Sequence, residues 1–177
     1  MKRTCIALFP VLLLAGFAAY AQSTAPTDPQ IAAIVVTANQ VDIDAGELAQ
    51  SKTHSKDVKA FAQRMIADHG GVNKAAGDLV RKLGVTPEDN ATSRGLRQSG
   101  DDNLAHLKTL AGTAFDRTYI DHEVAYHESV LDALDKTLIP GAQSDQLKAL
   151  LVKVRPAFVA HLEHAKHLQA ELGKSGG

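Results

Sequence analysis

The feature that most constrains this chain is a long, unbroken helical period. Val58, Phe61, Ala62, Met65, Val72, Ala76, Leu79 and Leu83 recur at steps of three and four. That spacing is the apolar stripe of an amphipathic helix facing a core. Three further stripes share the period. Ile34, Ala38, Val41, Ala45 and Leu48 form the first. Ile120, Val124, Leu131 and Leu134 belong to the third, and Leu147, Leu151, Val154, Phe158, Ala165, Leu168 and Leu172 to the fourth. No segment alternates as a half-buried strand does, and no internal repeat of solenoid period is present. The sequence therefore predicts an all-α protein, a four-helix bundle.

End signals divide the stripes. Asp28-Pro29 reads as an N-cap followed by the first helical position. Ser55 is placed to cap the second helix, and Gly84 with Pro87 shortly after it ends that helix. Thr113 starts the third, with Asp116 in a Thr-x-x-Asp capping box, and Ile139-Pro140-Gly141 stops it. Ser144 caps the fourth, which gives way to a loose tail at Gly173. Gly70 and Gly71 interrupt the second helix at a cost of about 1 kcal/mol each, which suggests close packing or a bend there. Val85 to Gly100 is polar and rich in turn formers, long for a helix–helix loop. Asp101 to Leu110 adds a short helix, so the connection between helices two and three reads as a crossover along the bundle.

Before the bundle comes a leader. Lys2 and Arg3 precede an apolar run from Ile6 to Ala19, followed by Ala19-Tyr20-Ala21, an A-x-A cleavage site. Residues 1–21 read as a secretory signal peptide, 22–29 as a disordered lead-in, 30–172 as the bundle and 173–177 as a flexible tail. The apolar run is shorter than the roughly 20 residues that span a bilayer. The mature protein is expected to be periplasmic, without a transmembrane segment. Its one cysteine, Cys5, would leave with the leader, and thiol chemistry with it. Losing Lys2 and Arg3 reduces the basic residues from 19 to 17 against 20 acidic ones, a net of −3. With no basic excess to neutralise phosphates, nucleic acid is excluded as a partner class. An envelope protein or a second copy of the chain remain as partner classes.

Polar residues break or flank the stripes at depths that agree to within about 8 Å, close enough to share one layer. His69 stands where a leucine is expected, with Asp68 beside it, and His127 and His161 occupy central positions of the third and fourth stripes. Asp42 flanks the first stripe, where a carboxylate is ordinarily solvated. At 1.5 Å rise per residue, Asp42 lies roughly 9 residues from one end of the bundle, His69 and His127 roughly 14, and His161 roughly 11. Three imidazoles and a carboxylate in one layer form a ligand set for a transition metal such as zinc, copper or iron. Glu123, one turn before His127, and Asp68 are candidate outer partners. The competing reading is a buried His–Asp network that sets helix register without metal. His164 and His167 rotate off the stripe, His54 and His106 fall in connections, and His122 turns away from the core. Tyr119 and Tyr126 read as packing residues.

The segments LAQSKTHSKDVKAFAQRMIADH (48–69), FDRTYIDHEVAYHESVL (115–131) and RPAFVAHLEHAKHL (155–168) resemble the family known as domain of unknown function 4142. Its members are exported bacterial proteins often labelled outer membrane proteins. The resemblance extends from about Ile31 to Leu172. It implies a ferritin-like helical bundle, with the family's first-helix acid falling on Asp42 and its recurring histidines on His69, His127 and His161. Di-iron ferritins use Glu-x-x-His pairs, whereas Ile66, Val124 and Phe158 stand three before these histidines, so carboxylate-bridged di-iron chemistry is not expected. A barrel needs strands, and the sequence shows none. Two functions fit: an exported bundle holding a transition metal, or a non-catalytic envelope module with a metal-free core network. No G-x-S-x-G elbow or cysteine nucleophile supports a hydrolase.

Overall fold

A computed structural model describes residues 25–174; the expected leader and residues 175–177 lie outside them. The elements are α1 (Asp28–Lys52), α2 (Lys56–Leu83), α3 (Ala91–Thr109), α4 (Gly112–Ala133), a π-helical turn (Leu134–Leu138), a further turn α5 (Ile139–Gly141) and α6 (Asp145–Lys174). No strand occurs among the described residues.

Long-range hydrogen bonds set the directions. The Glu88 N–H donates to the Pro29 carbonyl, so the end of α2 returns to the start of α1 and the two are antiparallel. α3 begins near Gln30, whose carbonyl accepts from Asn90 Nδ2, and ends where Lys52 Nζ donates to the Leu107 and Lys108 carbonyls. It therefore runs the length of α1, parallel to it. α4 descends again, and Tyr126 donates its hydroxyl to the Ala38 carbonyl on the way. α6 returns to the far end, where Arg117 on α4 reaches the Leu172 carbonyl. The four bundle helices α1, α2, α4 and α6 thus run up, down, down, up, with α3 as the crossover.

Each helix start has a local cause, and three differ from expectation. Thr27, not Asp28, caps α1, in a capping box with Gln30. Asp28 lies inside the helix and accepts instead from the Gln143 and Ser144 N–H groups, both at 2.8 Å, ahead of α6. The crossover helix starts ten residues before Asp101, because Asn90 and Ser93 form a reciprocal capping box that turns the polar stretch into helix. The bundle therefore carries five long helices. α4 starts at Gly112 behind Ala111, with no side-chain cap, so Thr113 lies within it and Asp116 is buried rather than capping. The last helix continues past Gly173 to Lys174. Ser55 and Gly84, the latter left-handed at φ 65°, end α2 as the sequence indicates.

Pro156 sits inside α6 on its exposed face, below exposed Val152. The carbonyl that proline leaves without a partner is Val152's, and there it faces water.

The core is split. One apolar cluster holds Ala45, Ala49, Phe61, Met65, Phe115, Tyr119, Ile120, Leu162 and Leu168. The other holds Ile31, Ile34, Val72, Leu134, Leu138, Leu147, Leu151 and Phe158. Along every bundle helix, a buried polar residue separates the two: Asn39 and Asp42 on α1, His69 on α2, His127 on α4 and His161 on α6.

Gly70 and Gly71 do not mark a close contact, since a Cβ on either would meet nothing within 4 Å. The tightest approach is at Gly100, where α3 crosses α1 and a Cβ would stand 2.7 Å from Val41 Cγ2; Gly46 on α1 is next, 3.2 Å from the Ala62 carbonyl on α2. Gly100→Ala should therefore destabilise the protein by about 1–3 kcal/mol through overpacking against a stiff valine. Gly71→Ala should stabilise it by up to about 1 kcal/mol through helix propensity alone. Paired urea denaturation curves of the two variants check both signs.

Candidate metal centre

Four helices bring Asp42, His69, Glu123, His127 and His161 together in the polar layer, each no more than 2% exposed. One donor atom from each of His69, His127 and His161 lies within 4.8 Å of the others, and the same holds for Asp42, Glu123 and His127. Asp42 is therefore not a solvated edge residue. It faces inward, with its Oδ2 3.0 Å from His69 Nε2 and 3.6 Å from His127 Nε2.

The hydrogen bonds fix which ring nitrogen of each histidine carries its proton. Asn39 Nδ2 donates to the Val35 carbonyl at 2.9 Å, which turns its Oδ1 toward His69 Nδ1 at 2.7 Å. An amide oxygen only accepts, so His69 Nδ1 bears the hydrogen. His127 Nδ1 donates to the Glu123 carbonyl at 3.0 Å, one turn back on α4. His161 Nε2 donates to Asp68 Oδ2 at 2.8 Å, and Arg64 donates to the same oxygen. Each imidazole is thus held from outside by an oxygen. Its other nitrogen, Nε2 of His69 and His127 or Nδ1 of His161, is buried without a hydrogen-bond partner. An oxygen on one ring nitrogen and a free lone pair on the other is how metal-binding histidines are oriented.

The carboxylates are buried among these rings and beside each other: Asp42 Oδ2 faces His69 and His127, and Glu123 Oε2 lies 3.6 Å from His127 Nδ1. Burial alone would raise the Asp42 carboxyl, but His69 and then His127 outweigh it and hold Asp42 below its usual range. Burial, reinforced by the Asp42 charge, pushes Glu123 well above the ordinary carboxylate value. The two acids thus differ in character, one ionised and one holding its proton. Burial lowers His127 against the pull of Asp42. It lowers His161 to about 4, against the opposing pull of Asp68. The free nitrogens of His127 and His161 are therefore unprotonated at neutral pH, the form in which imidazole binds a metal.

Phe158 closes one side of the layer, stacked on His69 with ring centroids 5.0 Å apart and planes 14° apart. Tyr119 packs below, on Phe61 and Phe115, and burial raises its hydroxyl well above the usual phenol value.

The structure brings Asp42, His69, His127 and His161 into one cluster, with Glu123 inside it and Asp68 behind His161. His167 is exposed, as are His54 and His106, while His164 is half-buried with its ring against Phe61. His122 does not turn away from the interior; it is half-buried and stacks on Tyr126. Asn39 is the member that stripe reading missed. Its position one turn before Asp42 on the same face was the available signal.

Residues 15–168 match the model of the family described as domain of unknown function (DUF4142). The chain belongs to that family. No curated protein and no solved structure matches it.

The cluster makes the metal-free protein sensitive to acid. The folded value of His161 lies near 4 and the unfolded value near 6.5, so the unfolded chain takes up the proton first. The contribution is complete above 6.5 and is lost as pH falls toward 4, by up to roughly 3 kcal/mol. Lowered His127 acts in the same direction. Urea midpoints of chelator-treated protein should therefore fall between about pH 7 and about pH 5, and less so in His161→Leu.

Proposed function

We propose that this chain is an exported, periplasmic metal-binding bundle that holds one divalent transition-metal ion through His69, His127, His161 and Asp42. The observation that carries the reading is the convergence of buried donor atoms. Three imidazoles converge in one buried group, and Asp42, Glu123 and His127 in a second that shares His127. Each buried polar group left unsatisfied costs about 1–3 kcal/mol. His69 Nε2 lies 3.0 Å and His127 Nε2 3.6 Å from Asp42 Oδ2, ion-pair distances that a helix-register network would share. Beyond those pairs, every ring is also held from outside, by Asn39, the Glu123 carbonyl or Asp68, so that the inner nitrogens converge on one place.

The spacing agrees with an ion. Donors about 2.0–2.1 Å from a tetrahedral centre stand about 3.3 Å apart. The Asp42 distances of 3.0 and 3.6 Å to the two imidazoles bracket that value. The charge agrees as well, because two positive charges offset Asp42 and, once its proton leaves, Glu123. Zinc, copper and iron all suit an imidazole-rich set. With four protein donors the coordination is closed, which fits an ion that is held or stored rather than one that turns over substrate. The bound ion would supply the cross-link that joins four helices at mid-height. Export is supported by the basic start, the apolar run and the Ala19-Tyr20-Ala21 site.

Elemental analysis of untagged protein purified from its own compartment should find about one equivalent of a single transition metal. His69→Leu with His127→Leu should abolish that metal while far-UV circular dichroism stays helical. Asn39→Leu and Asp68→Leu should each weaken affinity by about 10–100-fold, because they release an imidazole rather than remove it. Metal content unchanged in the double variant would sink the assignment.

A further inference from the structure

A cavity of about 270 Å³ lies beside the histidine layer, between α1, α3, α4 and α6. It is long rather than round. Its lining follows α4 and the π-helical turn from His122 to Leu138, about 24 Å of helix, whereas a sphere of that volume would be only about 8 Å across. The floor is buried and largely aliphatic, and Leu134 and Leu138 supply part of it from the π-helical turn itself. In that turn the Ile139 N–H reaches back to the Leu134 carbonyl, a departure from α geometry of a kind frequent at functional sites. Asn39, His69, His122 and Tyr126 also line the cavity, yet its lining is almost wholly apolar. Asn39 is engaged by the Val35 carbonyl and His69, and the Tyr126 hydroxyl by the Ala38 carbonyl, while His69 Nε2 and His122 Nδ1 are buried out of reach. The rim is different. Three of the lining residues are exposed, Thr92, Ser99 and Ser129, and all three carry a hydroxyl.

We propose that this cavity holds the hydrocarbon tail of a single-chain amphiphile, about ten carbons long, whose polar end stays at the rim. The two kinds of lining dictate the two ends of the ligand. A polar group carried to the floor would lose its water and find no partner there. At the rim it keeps its water and meets hydroxyls. The length of the cavity suits a chain better than a plate of fused rings, and the volume sets how much chain it takes. An apolar cavity of about 150 Å³ admits the six carbons of benzene, so 270 Å³ gives room for about ten. The site is independent of the metal reading, since a hydrocarbon tail uses none of the imidazole nitrogens or carboxylates that would hold an ion.

The test is a series of straight-chain 1-alkanols, hexanol to dodecanol, titrated calorimetrically into the purified, chelator-treated protein. Binding should saturate at about one equivalent, and affinity should rise about fourfold per added carbon, the worth of one buried methylene. The rise should stop near ten carbons, where the cavity is full. Ala133→Leu, which fills part of the cavity, should lower that limit by about two or three carbons. Ser129→Trp at the exposed rim should weaken 1-decanol by about tenfold or more, and it serves if the interior variant fails to fold. Naphthalene, with ten carbons in a rigid plate, should bind more weakly than 1-decanol. An affinity that keeps rising through dodecanol would overturn the proposal, because adsorption to an open surface has no such limit. So would naphthalene binding more tightly than 1-decanol, a folded Ser129→Trp that binds 1-decanol unchanged, or no saturable binding at all. The series is run without metal, so a failure of the metal assignment does not touch it.

Discussion

A polar layer sealed between two apolar clusters is the constraint on which the rest of this bundle depends. Its imidazoles and inner carboxylates are almost wholly buried, so each must be answered by another protein atom, an enclosed water or an ion. The answers on the outer side are specific and come from separate helices: an amide on α1 for His69, a main-chain carbonyl within α4 for His127, and a carboxylate on α2 for His161. Helix register follows from this. Sliding α2, α4 or α6 by a turn would take its histidine out of the layer and carry it into one of the apolar clusters.

The two apolar clusters do a different kind of work. They contribute most of the burial, and they are tolerant of aliphatic exchange in the way that cores generally are. The layer between them contributes specificity instead. Its buried groups carry a desolvation cost, so a protein that keeps them gives up stability to hold those groups in one place.

How much of this was legible in the sequence depends on whether a feature was carried by periodicity or by pairing. The stripes on α2 and α6, the cap at Ser55 and the left-handed Gly84 depend on residues close together in the chain, and local pattern exposed them. His69, His127 and His161 were visible because each interrupts a stripe and Asp42 because it flanks one, and helix rise placed the four within about 8 Å of one height. Asn39 was not visible: it sits on the same face but only a partner from α2 gives it meaning. The crossover misled for a related reason. Its serine, glycine and asparagine content reads as loop, yet Asn90 and Ser93 cap each other and the small Gly100 lets the resulting helix lie against Val41. Gly70 and Gly71 misled in the opposite sense, since their lack of side chains answers to no neighbour at all.

The carboxylate of Asp28 holds the two amide groups that precede the last helix, although 115 residues or more of chain separate them. The opening turn of the first helix and the opening turn of the last are therefore a single latch. Loosening α1 at Asp28 would free both amides at the same moment and leave α6 with only its own cap, Ser144 Oγ on the Leu147 N–H. Fraying at the beginning of the first helix and fraying ahead of the last are thereby tied to one carboxylate.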